Sequence, residues 1–424
     1  MVLLLVQLLV ASLLGCSAAS RQQSISKIPV SLKLMWYSAS PDQHSRSHSE
    51  GSKMLEFNLN NWEAYKEIYT SPKDLLDLQI QGNVPADLLS EKLPLTIHLK
   101  RAKRLVAENF IRRSFDDHGV EIIQRAGEEE RNIVRCLYGG EVANHPFSVV
   151  DLDLCYGLDG VIIIASSELR ITNNRTEGKI QHYIEISRPL KRESDGIRCG
   201  EPVAMNYTQT ERRTKRNYRK YFPRNVLFVE YVMVISKTFH DYINQSLPGT
   251  NPYNKLYRYL NLANSYLEQL GVYLILIAVE DWKNKDLIEM APVKVKEDLY
   301  LIHEEFNRYR LRKMLPNMRH DLAQIFVAYE KGVAGLAYMN SVCEPKIGAS
   351  VVSYWDWHDS QVPQTIAHEV GHTLGLNHVD GGSIDYKCST LCHVPGNPEN
   401  TPREEHCIMF STLSQGKYIA HYES

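Results

Sequence analysis

The segment that decides the fold is His368–His378, which reads HEVGHTLGLNH. On a helix, His368 and His372 lie four residues apart and project from the same face, so both imidazoles can reach one Zn²⁺. Glu369 stands beside them, placed to act on a water molecule at the metal rather than on the metal itself. Gly375 allows a backbone bend that ends the helix. This bend turns the last histidine of the segment back toward the first two.

Three neutral imidazoles with one open position indicate a catalytic zinc site, because structural zinc sites fill all four positions with protein ligands. The candidate ligands are His368, His372 and His378, and Glu369 is the candidate catalytic residue. The alternative is a buried helix whose histidines make ordinary hydrogen bonds. Three histidines at ligand spacing around one glutamate favour the zinc site.

Length and composition limit the protein class. The 424 residues are too many for one ordinary domain, and 43% hydrophobic with 23% charged residues is typical of globular proteins. The formal net charge of -2 gives no reason to expect nucleic acid or an anionic membrane as the main partner. After the first two dozen positions, no apolar run is long enough to predict a transmembrane segment.

The N-terminus predicts export. The apolar run Val2–Leu14, followed by small residues, indicates a secretory signal peptide over residues 1–19 and therefore a secreted, extracellular protein. A lipoprotein signal at Cys16 and an uncleaved anchor are the alternatives. Three glycosylation sequons agree with secretion, at Asn174, Asn206 and Asn244.

Secretion implies an oxidising compartment, so the number of cysteines matters. Loss of Cys16 with the signal would leave seven of the eight. Those of the first half are Cys136, Cys155 and Cys199, and those of the second half are Cys343, Cys388, Cys392 and Cys407. The odd early number predicts that one early cysteine is free or pairs outside its own region.

A basic stretch near the middle predicts a processing site. Arg213–Arg216 reads RTKR, which is similar to the R-x-K/R-R sequence cut by furin-like convertases. Cleavage after Arg216 would divide a propeptide, residues 20–216, from a mature domain, residues 217–424. An exposed basic loop and a patch that binds polyanions are the alternatives.

The two halves have different sequence patterns. Residues 21–52 are rich in Ser, Gln and His and predict a flexible start. From about residue 54, short runs such as Leu95–Leu99 predict a β-rich domain. After the basic stretch, apolar strands alternate with helical spacing over 254–270 and 295–315, which predicts an α/β fold.

The zinc motif resembles the metzincin signature, which a Met-turn follows. Cys407–Met409, reading C-I-M, is similar to the Met-turn of the adamalysin branch, also called reprolysin or ADAM-like. Phe228–Val232 resembles the opening strand of that branch, and Gly335–Tyr338 resembles its substrate-binding edge strand. Cys136–Val142 is similar to a motif of reprolysin propeptides. The resemblance covers most of residues 54–410.

The resemblance implies a metzincin-type catalytic domain: a twisted mixed sheet with helices, a zinc helix and a Met-turn, preceded by a β-rich propeptide domain. It also implies a secreted zinc endopeptidase, made as a latent zymogen, that acts on protein or peptide substrates. Glu369 would activate a water held at the zinc, and Met409 would lie beneath the metal as a structural base. Substrate would add as a strand along Gly335, Leu336 and Ala337, for which a plain core strand is the alternative.

Cys199 is similar to the cysteine switch of the family, in which a propeptide thiolate occupies the open zinc position. This role would account for the odd early cysteine and leave Cys136 and Cys155 as a pair. A disulfide-bonded or inert Cys199 is the alternative.

The sequence also departs from the family pattern. Val379 stands where this branch usually has Asp, and Asp380 follows one place later. Fifteen residues follow Met409, so a disintegrin region is not expected here. Glu230 and Asp321 match two family calcium ligands, but the others would fall beyond the end, so calcium is not predicted. The alternative function is a catalytically weak or truncated metalloprotease-like protein that acts as a binding module.

Overall fold

A computed structural model describes much of the chain. The described residues are 28–37, 54–59, 73–82, 94–102, 104–125, 127, 134–155, 157–164, 167–176, 179–187, 197–198, 227–246, 251–290, 296–328, 334–354, 361–378 and 412–413. The predictions for the signal peptide, Cys199, Arg216 and Met409 fall outside these residues.

The elements follow one another along the chain in two groups. The strands of the first half are β1 Ile28–Tyr37, β2 Met54–Asn58, β3 Leu75–Gln81, β4 Leu95–Arg101, β5 Val106–Phe115, β6 Glu121–Arg125, β7 Leu137–Val142, β8 His145–Asp153, β9 Asp159–Ile164, β10 Ser167–Thr176, β11 Lys179–Ser187 and β12 Ile197–Arg198. The second half has β13 Leu227–Ile235, α1 Lys237–Ser246, α2 Pro252–Leu267, β14 Val272–Asp281, α3 Lys296–Tyr309, β15 Leu322–Ala328, β16 Gly335–Ala337, β17 Ala349–Tyr354, α4 Gln361–Thr373 and β18 Thr412–Leu413.

Most strands of the first half form one antiparallel sheet with the order β11-β10-β9-β8-β7-β4-β3-β1-β2. Because β1 also pairs with β11, this sheet closes on itself around an apolar core. The described part of the first half thus consists mainly of strands, which begin at Ile28 rather than at about residue 54.

Strand β1 corrects the expectation of a flexible start. Residues 28–37 lie inside a segment whose Ser-, Gln- and His-rich composition predicted flexibility. Within this strand, however, Val30, Leu32 and Leu34 alternate with partly exposed residues and are 4% exposed or less. Alternation of this kind places one face of a strand in a core, so the local pattern outweighed the composition of the surrounding segment.

The second sheet has the order β16-β17-β15-β13-β14-β5-β6. Strands β14, β13, β15 and β17 are parallel to their neighbours in this series, whereas β16 runs antiparallel to β17. The sheet is therefore mixed, in agreement with the predicted α/β fold. It also contains β5 and β6, which come from the first half of the chain.

Helices cover both faces of the mixed sheet. Residues of α1, α2 and α4 share one core with one face, and residues of α3 share another core with the opposite face. Helix α2 begins at the N-cap Asn251, whose side chain accepts a hydrogen bond from Tyr253 N, and Pro252 occupies the first turn. No described helix is both long and apolar enough to cross a membrane.

Candidate metal centre

Helix α4 carries the first two predicted ligands and is buried along its whole length. It packs on the mixed sheet and on α2 through Val362, Ile366 and Val370. The helix ends as the glycine predicts, since Gly375 has φ +97° and a Cβ there would lie 2.3 Å from Asn340 Oδ1. This turn returns the chain toward the helix.

The turn brings the third histidine back to the first two. His378 Nε2 lies 3.1 Å from His368 Nε2 and 3.0 Å from His372 Nε2. His372 Nδ1 lies 2.8 Å from the Leu376 carbonyl oxygen, to which a ring N–H donates. That bond fixes the tautomer in which Nε2 of His372 carries a free electron pair. The three predicted ligands therefore converge.

The donor set fits a cation. Burial lowers the pKa of His372 to about 4, so its imidazole is neutral near pH 7. Three Nε2 atoms at these separations cannot all be satisfied by sharing protons, whereas one cation accepts an electron pair from each. The donor atoms of these three histidines all lie within 4.8 Å of one another. In the described part of the chain, they are the group of side chains that could hold a metal ion. Imidazole nitrogens are preferred ligands of zinc.

Glu369 lies in the same buried turn. It is 0% exposed, and neither carboxylate oxygen has a hydrogen-bond partner among the described residues. Burial raises its pKa above the ordinary range of a glutamate. Burial of an unpaired carboxyl group is costly, so this position indicates a ligand or substrate rather than a structural role.

Strand β16 runs beside this carboxyl group. A Cβ atom on Gly335 would lie 2.5 Å from Glu369 Oε1, so the missing side chain is what leaves room for the glutamate. Leu336 and Ala337 complete the strand, and all three residues are buried. Because β16 is the last strand of the sheet, its outer edge pairs with no strand in the described part of the chain.

A comparison with protein families decides the assignment. Residues 227–423 match the family described as Reprolysin (M12B) family zinc metalloprotease. Residues 227–423 are thus similar to reprolysin-type zinc metalloproteases. The metal expected at the three histidines is accordingly zinc, and a reprolysin domain implies the metzincin α/β fold, with which the mixed sheet and its helices agree.

Curated relatives agree with this assignment. A protein named "Zinc metalloproteinase-disintegrin-like" from Cerberus rynchops is 26% identical over 320 residues, which cover 73% of this chain and 49% of that protein. "Zinc metalloproteinase-disintegrin-like BmMP" from Bungarus multicinctus is 25% identical over 301 residues, covering 67% and 46%. The chain thus spans about half the length of these two relatives.

One solved structure is similar over a smaller region. It is described as "Structure of a chaperone-substrate complex" and aligns with 16% identity and a TM-score of 0.28, over 46% of this chain and 33% of that chain. A similarity at this level supports no argument about the reprolysin domain.

The predicted cysteine switch, Cys199, lies outside the described residues, one range of which ends at the position before it. The backbone of β12, which directly precedes Cys199, pairs with β18, which follows Met409 by three positions. Earlier in the chain, the side chains of Cys136 and Cys155 are hydrogen-bonded to each other and buried. The structure does not join them by a disulfide, so their predicted pairing stays a prediction.

Sequence reasoning missed two groups that shape the centre. The Asn340 backbone N–H donates to the His372 carbonyl oxygen over 3.1 Å, and its side chain lies where a Cβ of Gly375 would be. Leu376 contributes only its backbone carbonyl, which orients His372. No residue type or spacing marks either group, because both act through backbone atoms or through a turn.

Proposed function

We propose that this chain is a secreted zinc endopeptidase, made as a latent zymogen, that hydrolyses peptide bonds of protein substrates. The observation that carries the proposal is the convergence of three imidazoles next to the buried, unpartnered Glu369, beside an open sheet edge. These are the three parts that such a reaction needs: a metal site, a base and a place for the peptide.

His368, His372 and His378 would hold the zinc. When bound, zinc supplies Lewis acidity, which polarises a carbonyl group and makes a water molecule more acidic. Glu369 would accept a proton from the attacking water and deliver it to the leaving amine nitrogen. Its burial suits this role, because a carboxylate with no competing hydrogen bond in a dry site is a stronger base than one in water.

An extended peptide would bind along β16. Its backbone would pair with the free N–H and C=O groups of this strand, as in other cases of strand addition. The scissile bond would then lie next to Glu369, because Gly335 and this carboxyl group are in contact distance. The backbone bonds give affinity without sequence selectivity, which suits an enzyme that accepts a range of proteins.

Latency and export complete the proposal. A furin-like convertase would cut after Arg216, and Cys199 would hold the open zinc position until then. The pairing of β12 with β18 supports this arrangement, since β18 also contacts the zinc helix α4. Exposed Asn174 and Asn244 suit glycosylation in the secretory pathway.

Substitution Glu369→Gln tests the activity. The variant should keep zinc in a one-to-one ratio and lose peptide hydrolysis by at least about 100-fold, because the general base is gone and the histidines are intact. Zinc content by atomic absorption and cleavage of an unfolded protein, with and without a chelator, measure both. Glu289→Gln is the matched control, since Glu289 is exposed and outside the site.

Two outcomes would contradict the proposal. Unchanged hydrolysis by Glu369→Gln would remove this residue from the reaction. A wild-type protein, cut after Arg216, that holds zinc but hydrolyses nothing would support the alternative function as a binding module.

A further inference from the structure

The edge of the mixed sheet opposite β16 is covered by a hairpin from the first half of the chain. This hairpin, defined here as β5 and β6 with their connection, pairs in parallel with β14 through β5. The register aligns Arg112 with Val279 and Arg113 with Glu280. The Leu276 N–H also donates to the carbonyl of Leu105, just before the hairpin, over 2.9 Å. The hairpin therefore completes the sheet of the protease domain.

Arg113 reaches the face of the sheet that α3 covers. Its Nη1 donates to Glu280 Oε2 over 3.0 Å, and both side chains are almost fully buried. The other oxygen of Glu280 accepts hydrogen bonds from Trp282 Nε1 at 2.7 Å and from the Tyr309 hydroxyl at 2.6 Å. The guanidinium of a first-half residue thus completes a carboxylate whose remaining partners belong to the protease domain.

Arg112 reaches the opposite face, which α1 and α2 cover. Its guanidinium carbon lies 3.8 Å from the centre of the Tyr253 ring. The Tyr253 hydroxyl donates to Asp281, which also accepts a hydrogen bond from His240 Nε2 at 2.5 Å. Consecutive arginines of one strand therefore act on opposite sides of the sheet: Arg113 contacts Glu280 directly, and Arg112 lies on the Tyr253 ring, whose hydroxyl is bonded to Asp281.

Apolar contacts extend the same interface. Phe110 of the hairpin is 1% exposed and meets Tyr257 of α2 edge to face, with ring centroids 6.4 Å apart. Helix α2 also packs against β7 and β8 of the closed sheet, where Leu137 and Val149 belong to the same core. The two halves thus share one continuous core across the predicted processing site.

From this arrangement we propose that the β14 edge is a docking surface for the hairpin, which keeps the first half bound to the protease domain after the chain is cut at Arg216. The inference rests on the proposed function only for that cut. Separation would expose the shared core and break the buried ion pair between Arg113 and Glu280. Because the hairpin and β16 lie at opposite edges, the retained fragment leaves the substrate edge free.

The test uses the full chain in a Glu369→Gln background, so that the protein cannot digest itself. Residues 213–216 are replaced by the recognition sequence of a site-specific protease, and the purified protein is cut with that protease. We expect both fragments to elute together in size-exclusion chromatography at neutral pH. Prompt separation of the fragments in buffer would overturn the proposal. This readout needs neither a convertase nor peptidase activity, so it does not depend on whether the proposed function is correct.

Variants then identify the contact that retains the fragment. Arg113→Met should speed release by about 100-fold, because it leaves Glu280 without a cationic partner. Lys100→Ala is the matched control: the pair that Lys100 forms with Glu268 also joins the halves, at 3.0 Å, but both side chains are exposed. Its loss should change release by less than about fivefold. Equal release rates for both variants would remove the buried pair from the docking surface.

A double variant covers the case in which Arg113→Met fails to fold. Arg113→Met combined with Glu280→Gln removes both charges, and a buried pair is often replaced by neutral residues at little cost. We expect this double variant to retain the fragment for longer than Arg113→Met where that variant folds, and in every case to elute as a complex. Prompt separation of the cut double variant, with normal circular dichroism before the cut, would show that the strand pairing and apolar contacts are insufficient.

Discussion

The two edges of the mixed sheet differ in how they hold a neighbour. At one edge, β16 is three residues long and its outer edge is free in the described part of the chain. At the other edge, β14 is covered by the ten-residue β5, which adds Phe110 and Arg113 to the backbone pairing. A single backbone hydrogen bond contributes only about 1 kcal/mol net, whereas truncating a buried aromatic side chain, or removing one partner of a buried ion pair, costs about 3–5 kcal/mol.

This difference shows how one sheet can serve two purposes. An edge that offers mainly backbone groups suits a peptide that must arrive and leave. An edge that also offers pockets for buried side chains suits a segment that stays. The lifetime of each contact is set by the side chains rather than by the strand pairing, which both edges have in common.

The largest expected effect is on the covered edge. Phe110→Ala should lower the free energy of unfolding of the uncleaved chain by about 3–5 kcal/mol, because it leaves a cavity between β5 and α2. Ile123→Ala is the control from the same hairpin, since Ile123 is 58% exposed and should change stability by less than about 0.5 kcal/mol. Urea denaturation measures both.

Equal stability of these two variants would mean that the hairpin lies on the protease domain without being part of its core. The comparison of the two edges would then fail, because both neighbours would depend on backbone pairing alone.

The convergence of the three histidines could be anticipated from the sequence because its geometry is local. Four residues on a helix fix the relative directions of His368 and His372, and Gly375 marks the bend that brings His378 back. Few tertiary contacts are needed to obtain the ligand set. The same holds for α2, for which helical spacing over 254–270 predicted a helix close to the observed Pro252–Leu267.

The hairpin could not be predicted in this way. Its partner β14 lies more than 150 positions further along the chain, and parallel pairing at that distance leaves no periodic signal. Arg112 and Arg113 have the appearance of ordinary exposed charges in the sequence. Arg113 is in fact buried against Glu280, and Arg112 is partly buried against Tyr253, and only the folded chain brings these partners near. The close approach of Gly335 to Glu369 could not be predicted from the sequence for the same reason.

A smaller effect is expected at the open edge. Gly335→Ala should lower kcat/KM by about 100-fold while zinc content is unchanged, because the new methyl group would displace the Glu369 carboxylate by about an ångström. The glutamate is fully buried, so any shift of its carboxylate must be accommodated inside the site. Leu336→Ile is the control, because Leu336 packs on the opposite face of the sheet. Activity at the wild-type level in Gly335→Ala would show that the strand does not position the base.

The smallest expected effect is on how the release rate of the cut fragment depends on pH, through the interface between the two halves. Asp151 of β8 accepts a hydrogen bond from Asn261 Nδ2 of α2 at 2.6 Å, and Arg258 of α2 lies 3.9 Å away. The carboxyl groups of Asp153 and Asp159 lie near the same arginine, with Asp159 paired to it at 2.7 Å. Desolvation by burial raises the pKa of Asp151 from 3.8 to about 6.

A raised carboxyl pKa means that the docked form binds the proton more tightly than the separated form. Docking is therefore favoured at low pH and weakens as the pH rises through about 6. Between pH 7.5 and 5 the gain from this group is about 1.4 kcal/mol, or about tenfold slower release of the cut fragment. Asp151→Asn keeps an oxygen acceptor for Asn261 and cannot titrate, so its release rate should depend less on pH than that of the wild type. If the release rates of the two proteins changed with pH in parallel, the Asp151 carboxyl group would keep its charge at the interface. The pH dependence would then arise at Glu280, whose pKa burial raises in the same direction.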